Sequence, residues 1–332
     1  MITNRPVDFG YEQCWLSCPN CTNRTPMSFP EYSAGATVRC GNCGADVSAL
    51  DPLDHAVAAV NDPALHADSI ASLSWFHTST HEKWPPLGEA PTDPAVHLGT
   101  YEAAIENMLR RITGQDDSNA QFYLHRVRLA VNPGDIAEQV RQEFSDWVGN
   151  VAQSVVRADG HRVLRYVNRH EHKGCISLAV VPSVIAAVQT IDIPLPLLSL
   201  PSAAALQATS EYVRLCEQIE ASRPDITGIG QLDLLFPNRS KDPRITAIAH
   251  AHNAADSADH DATERHVGAL SNAYLAGIGQ NTRALFVSAL QNVTEDDDAR
   301  WHERFRHLAE LLTAPDRVLA AVSNAPTRTP AP

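Results

Sequence analysis

Cys18-x-x-Cys21 and Cys40-x-x-Cys43, two pairs with 18 residues between them, constrain this chain more than any other feature. Pro19-Asn20 lies inside the first pair, Gly41-Asn42 inside the second, and Gly44 follows. Such knuckles aim two thiolates at one ion, and four sulfurs complete a closed tetrahedral Zn²⁺ site. A closed site has no open position for chemistry, so its expected role is structural: metal affinity replaces the core that so short a segment lacks. Residues 1–50 are read as a zinc ribbon with ligands Cys18, Cys21, Cys40 and Cys43. The count of seven cysteines is odd, and paired spacing of this kind belongs to a reducing compartment rather than a disulfide framework. Cys14 is read as a small half-buried hydrophobe. The ribbon sets Arg5, Arg24 and Arg39 against Asp8, Glu12, Glu31 and Asp46, a balance that favours an accessory or docking module over a nucleic-acid reader.

The remainder has ordinary globular composition, 44% apolar and 20% charged over 332 residues, enough for one large domain or two to three smaller ones. A net charge of −13 provides no global positive field for DNA or RNA. The longest uncharged run considered, Cys175 to Ile191, is broken by Pro182 and Gln189 and is shorter than the ~20 apolar residues of a spanning helix. The N-terminus lacks the basic-then-apolar pattern of a signal peptide, so a cytoplasmic location without membrane partners is expected.

Residues 51–69 read as a linker with a short helix, punctuated by Pro63. Leu73 to His77 and Ala95 to Leu98 are strand-like, and Thr100 to Ile112 carries Ala103, Ala104, Met108 and Ile112 at near-helical spacing. Phe122 to Val131 alternates as a half-exposed strand, and Cys175 to Val181 is a buried one. Pro182 then opens PSVIAAVQTI as a predicted helix. The block 70–195 is therefore α+β. Beyond PLPLLSLP, residues 196–322 are read as an α-helical domain, with Trp301, Phe305, Leu308 and Leu312 forming one stripe, and 323–332 as a flexible tail.

Three places in the central block combine reactive side chains with strand ends. In Trp75-Phe76-His77-Thr78-Ser79-Thr80 an imidazole and hydroxyls follow aromatic strand residues. Val96-His97-Leu98-Gly99-Thr100 leads into a helix, with Thr100 suited to the N-cap and Gly99 allowing close backbone approach. The third is Tyr166-Val167-Asn168-Arg169-His170-Glu171, just before the buried strand.

In this order WFHTST (75–80), VHLGTYEAA (96–104) and NRHEHKGCISLAV (168–180) resemble the three motifs of the ADP-ribosyltransferase fold, over a little more than a third of the chain. The resemblance implies a split mixed or antiparallel sheet holding NAD bent. Its cofactor-binding set would be His77, Thr78, Ser79, His97, Gly99, Tyr101 and Asn168, and its catalytic set Glu171, His77 and His97. His97 stands where many members of that family place a tyrosine; a histidine there is similar to the branch that transfers RNA 2′-phosphate to NAD, and Tyr101 is the alternative ring. Glu171 would be the family's acidic residue, an anion that stabilises the oxocarbenium-like centre formed as nicotinamide leaves. The activity implied is transfer of ADP-ribose to a protein or nucleic-acid acceptor, with the helical domain available to recruit a protein partner. A toxin or antiphage role is compatible with it.

Rival readings are NAD hydrolysis in the same pocket and a non-enzymatic zinc-ribbon adaptor with a degenerate core. A thiol enzyme built on Cys175 with His170 or His172 is disfavoured, because that cysteine opens an apolar strand. His250, His252, Asp256, Asp259, His260, Asp261 and His266 offer metal-ligand chemistry but read by default as a polar solvated loop. Arg126, Arg128, Arg162, Arg165 and Arg169 could line one basic face.

Overall fold

The computed structural model describes residues 3–49, 58, 61–85, 90, 92–114, 117, 119–143, 151–291 and 298–330. Two hairpins make the ribbon. β1 (Gln13–Ser17) pairs antiparallel with β2 (Arg24–Ser28), and after the short helix α1 (Phe29–Ser33), β3 (Thr37–Arg39) pairs antiparallel with β4 (Asp46–Ser48). A capping box starts α1: the Ser28 hydroxyl accepts the Glu31 N–H, and the Glu31 carboxylate accepts the Ser28 N–H at 2.9 Å. The ribbon's own core is small, with Leu16, Met27, Phe29 and Val47 packed around Cys14, Cys18 and Cys40.

The central core contains β5 (Trp75–Ser79), β6 (Val96–Leu98), α2 (Tyr101–Gly114), β7 (Phe122–Leu129), β8 (Ile136–Gln142), α3 (Gln153–Val156), β9 (Val163–Val167), β10 (Ile176–Val180) and β11 (Ile185–Ile193). There follow α4 (Ala203–Ser222), α5 (Gln231–Leu235), α6 (Pro243–Tyr274), α7 (Gln280–Gln291), α8 (Asp298–Thr313), α9 (Pro315–Asn324) and the short strand β12 (Thr327–Arg328). The fold class is mixed α and β, as the sequence implies.

Two four-stranded sheets run β6-β10-β9-β8 and β12-β11-β7-β5. All their ladders are antiparallel except β8 with β9. Between the sheets β5 meets β6 at one bridge, where Phe76 and Gly99 exchange both N–H···O bonds at 3.0 Å. Trp75, Leu98, Val127, Val163, Leu178, Val180 and Val188 belong to one continuous apolar cluster. Arg165 lies inside this core. The β8–β9 register shifts between Ile136 and Val140, and the guanidinium donates to the carbonyls of Ala137 (3.1 Å) and Glu138 (2.7 Å) at the irregularity. The arginines therefore do not line one basic face: Arg165 is buried, and Arg126 is bound to Ser74 and Gln189.

Three sequence expectations need correction. The helix expected over 182–191 is a single 3₁₀ turn, Pro182–Val184, followed by β11. Val184, Ile185, Val188, Thr190 and Ile191 are β-branched and favour a pleated surface, and β7 supplies the partner ladder. The C-terminal helices do not form one domain over 196–322. The chain divides into a unit of residues 1–195, 277–294 and 310–332 and a unit of 196–276 and 295–309, so α7 and α9 belong with the ribbon and core. The tail 323–332 also contributes structure: Thr327 pairs with Gln189 and Arg328 with Val188, where β11 offers an open edge. Of the 51–69 linker, 51–57, 59 and 60 lie outside the described residues, and Pro63–Leu65 and Ala67–Ser72 are 3₁₀ turns.

The helical unit pairs α4 with α6. Near its core Thr209 Oγ1 lies 3.1 Å from His266 Nε2 and 3.3 Å from His302 Nδ1, and His302 Nε2 lies 3.1 Å from the Tyr274 hydroxyl. His250, His252, Asp256, Asp259, His260, Asp261 and His266 lie on α6, not in a loop, because Asp242 caps the helix, Pro243 starts it and alanines fill it. They form i,i+4 pairs such as His252 Nε2 with Asp256 Oδ2 at 3.3 Å.

Candidate functional site

The metal centre is built by two matching turns. Cys18 N–H donates to Asn23 O and Thr22 N–H to Cys18 O; likewise Cys40 N–H donates to Ala45 O and Gly44 N–H to Cys40 O. Thr22 (φ 58°) and Gly44 (φ 70°) occupy the same left-handed position after their cysteine pairs. The four sulfurs lie within 4.8 Å of one another, with Cys18–Cys43 and Cys21–Cys40 at 3.6 Å. Zn–S bonds of about 2.3 Å in a tetrahedron require sulfurs roughly 3.8 Å apart, so an all-thiolate set at this spacing fits Zn²⁺. None of the four is in a disulfide. Backbone N–H groups of Cys43 and Asn42 aimed at Cys40 lower its thiol to about 6, while burial raises that of Cys18 to about 11. Among the described residues these cysteines are the only group of three or more ligating side chains at such distances.

Of the residues expected to bind NAD, His77 and His97 come together at the β5–β6 seam. His77 Nδ1 lies 3.0 Å from the His97 carbonyl, so the neutral ring carries its proton there and leaves Nε2 as an acceptor. Burial beneath Trp84, stacked at 4.4 Å and 16°, lowers the His77 imidazolium to about 3. His97 Nδ1 contacts the Tyr166 hydroxyl at 2.9 Å, whereas its buried Nε2 has no hydrogen-bond partner among the described residues. Burial also lowers the His97 pKa, and the Glu171 anion opposes that shift.

Asn168 organises the acidic loop. Its Oδ1 accepts the N–H of His170 at 3.0 Å and of Glu171 at 2.9 Å, its Nδ2 donates to Ser177 at 3.1 Å, and its backbone pairs with Cys175 and Gly174. Glu171 is then gripped from α2: Arg110 Nε donates at 2.7 Å and Asn107 Nδ2 at 3.2 Å, both to Oε1. Glu143, also buried, accepts the Arg169 N–H at 2.7 Å. Burial and the nearby Glu171 charge push it up to about 7.

The other residues of the motifs are engaged in the fold. Thr78 Oγ1 donates to the Ala104 carbonyl at 2.7 Å. Ser79 donates to the His81 carbonyl and lies 2.9 Å from His125 Nε2. Tyr101 is buried with its hydroxyl on the Leu311 carbonyl, the core role weighed against a nicotinamide-stacking one. Thr100 caps α2 through the Ala103 N–H at 3.0 Å, as expected. A Cβ on Gly99 would meet Ala103 Cβ at 2.8 Å, so what approaches the Gly99 backbone is the Ala103 methyl of α2. Cys175 is buried and its thiol is pushed far up, which fits the inert reading.

Sequence reading missed Glu102 and Glu106, both buried on α2. Glu106 accepts from the Tyr11 hydroxyl (2.6 Å), the Thr282 hydroxyl (2.8 Å) and the His172 N–H (2.6 Å), while Glu102 accepts the Asp8 N–H at 2.8 Å. The available signal was two acids one turn apart on the face that also carries Ala103 and Ile105–Leu109 core residues. Arg110, Glu143, Trp84 and His125 were missed for lack of any local pattern. The chain matches no known family model, no curated protein and no solved structure.

Proposed function

We propose that the central core transfers ADP-ribose from NAD to a macromolecular acceptor, protein or nucleic acid, and that zinc serves a structural role. The carrying observation is that His77 is held on the His97 carbonyl, that the buried His97 Nε2 has no partner among the described residues, and that the Glu171 anion acts on the same His97 ring. A buried orphan nitrogen is costly unless a ligand completes it. When the ribose–nicotinamide bond breaks, its electron pair passes to the ring nitrogen and positive charge develops on the ribose carbon. Both α2 contacts of Glu171 fall on Oε1, leaving Oε2 for a ribose hydroxyl near that charge. His77 Nε2 accepts from a second ribose hydroxyl. The acceptor's nucleophile then forms the new bond and releases its proton to water.

The test is labelled NAD with the zinc-loaded protein and lysate, sorting label among protein, RNA, DNA and free ADP-ribose. Glu171→Gln is expected to reduce NAD cleavage about 100-fold or more; turnover equal to wild type would overturn the assignment. Release of free ADP-ribose alone would identify a hydrolase. The adaptor reading draws on the internal engagement of Thr78, Ser79 and Tyr101, and absence of any heat of NAD binding in calorimetry would favour it.

A further inference from the structure

The loop that carries Glu171 is held on one side by α2 and on another by the ribbon. Lys173 Nζ sits over the Tyr32 ring at 4.7 Å and the Phe29 ring at 5.5 Å. The His172 ring packs on Tyr11 at 4.9 Å, and Arg169 Nη2 reaches the Tyr32 hydroxyl at 3.5 Å. Phe29 is part of the small apolar cluster that includes Cys18 and Cys40, and Tyr11 and Tyr32 pack against it. The connection is also polar. The Glu106 carboxylate takes the Tyr11 hydroxyl on one oxygen and the His172 N–H on the other. The segment behind Tyr11 is tied down as well, with Asp8 N–H on Glu102 and the Gly279 N–H on Phe9 O at 2.7 Å.

His172 itself has φ 42°, the left-handed region that a non-glycine residue adopts only when its surroundings impose it. Those surroundings are Glu106 on its N–H, Thr100 Oγ1 at 2.9 Å from Nδ1, and the Tyr11 ring. The strained residue follows Glu171 directly, so relaxing it would turn the carboxylate away from its place.

We infer that the zinc ribbon is the positioning element of the Glu171 loop: Tyr11, Phe29 and Tyr32 hold residues 168–175, and metal at the four cysteines fixes those rings. This rests on the proposed NAD chemistry only for its catalytic consequence. A core as small as the ribbon's depends on its metal, so zinc loss loosens Tyr11 and Tyr32 and with them the loop.

Amide hydrogen exchange followed by mass spectrometry tests this on the full chain, zinc-loaded and after chelation. Zinc removal is expected to speed exchange across 169–175 about tenfold while β9 and β10 keep their protection. A loop that stays protected while the ribbon amides exchange freely would overturn the inference. Because chelation can unfold more than the ribbon, Tyr11→Phe in the zinc-loaded protein supplies a second measurement. It deletes one hydroxyl and is expected to speed loop exchange about fivefold, the equivalent of one hydrogen bond of ~1 kcal/mol, with no change in bound zinc; unaltered loop exchange in this variant would also sink the idea. NAD turnover separates the two proposals. If wild type cleaves NAD, Tyr11→Phe should lower kcat with KM within twofold, and if wild type is inactive, the function fails while the exchange result still decides the coupling.

Discussion

A methyl group added at Gly99 would lie 2.8 Å from Ala103 Cβ and 3.4 Å from Ser177 Oγ, with the backbone of β6 and the first turn of α2 on either side. Gly99→Ala is therefore expected to cost about 1–3 kcal/mol, read from the denaturant midpoint, because neither neighbour is a flexible chain end. A wild-type midpoint would mean that α2 shifts freely. The sequence marked Gly99 as a place of close approach, and that was legible; what approaches is a helix, which only packing could decide. Asn168 was legible in a similar way. The resemblance gave it as a cofactor-binding residue, and what its side chain does in the structure is order the acidic loop through two backbone N–H groups.

Across β5, β7 and β11 the residues His77, His125 and Thr190 are directly opposite one another, so their side chains share one face. Ser79 gives its proton to the His81 carbonyl and accepts the His125 Nε2–H, which leaves His125 Nδ1 to accept from Thr190 at 2.9 Å. Burial, with His77 nearby, lowers His125 from 6.5 to about 3. Between those values the unfolded chain binds a proton that the folded chain does not, so stability is intact above pH 6.5 and declines as acid is added. The loss is roughly 1.4 kcal/mol per pH unit well below 6.5, or about 2 kcal/mol between pH 7 and pH 5. His125→Gln keeps donor and acceptor but cannot titrate, so its stability deficit relative to wild type should shrink by about that amount over the same range in urea titrations. A deficit independent of pH would rule out a neutral buried His125. Alternation found β7 even though its buried residues change face within the strand, Phe122 and Leu124 on one and His125, Val127 and Leu129 on the other. β11 was misread as a helix because Pro182 and the alanines carried a helical signal that the β7 ladder overrode.

At the scale of the molecule, the chain returns twice to its first unit, bringing α7 and then α9 with β12 to the ribbon and core. Gln189 on β11 reaches the carbonyls of Ser323 at 2.7 Å and Ala325 at 3.0 Å, which seats the segment that becomes β12. Truncation after Asn324 is expected to uncover the β11 edge and produce concentration-dependent association in light scattering, while a monodisperse truncated protein would argue that the edge is protected in another way. The sequence alone determined the four-cysteine cluster, since two Cys-x-x-Cys turns at fixed spacing specify it locally. It also determined β5, β6, α2, β7 and β10, whose period of apolar residues is set by one-sided or complete burial. Only the tertiary structure decided that His77 is seated on the His97 carbonyl, that α2 and Asn168 hold Glu171, that Glu106 ties Tyr11 to that loop, and that the C-terminal helices are divided between two units. Those contacts join residues tens to hundreds of positions apart, and no local periodicity encodes which distant partner a buried polar group will find.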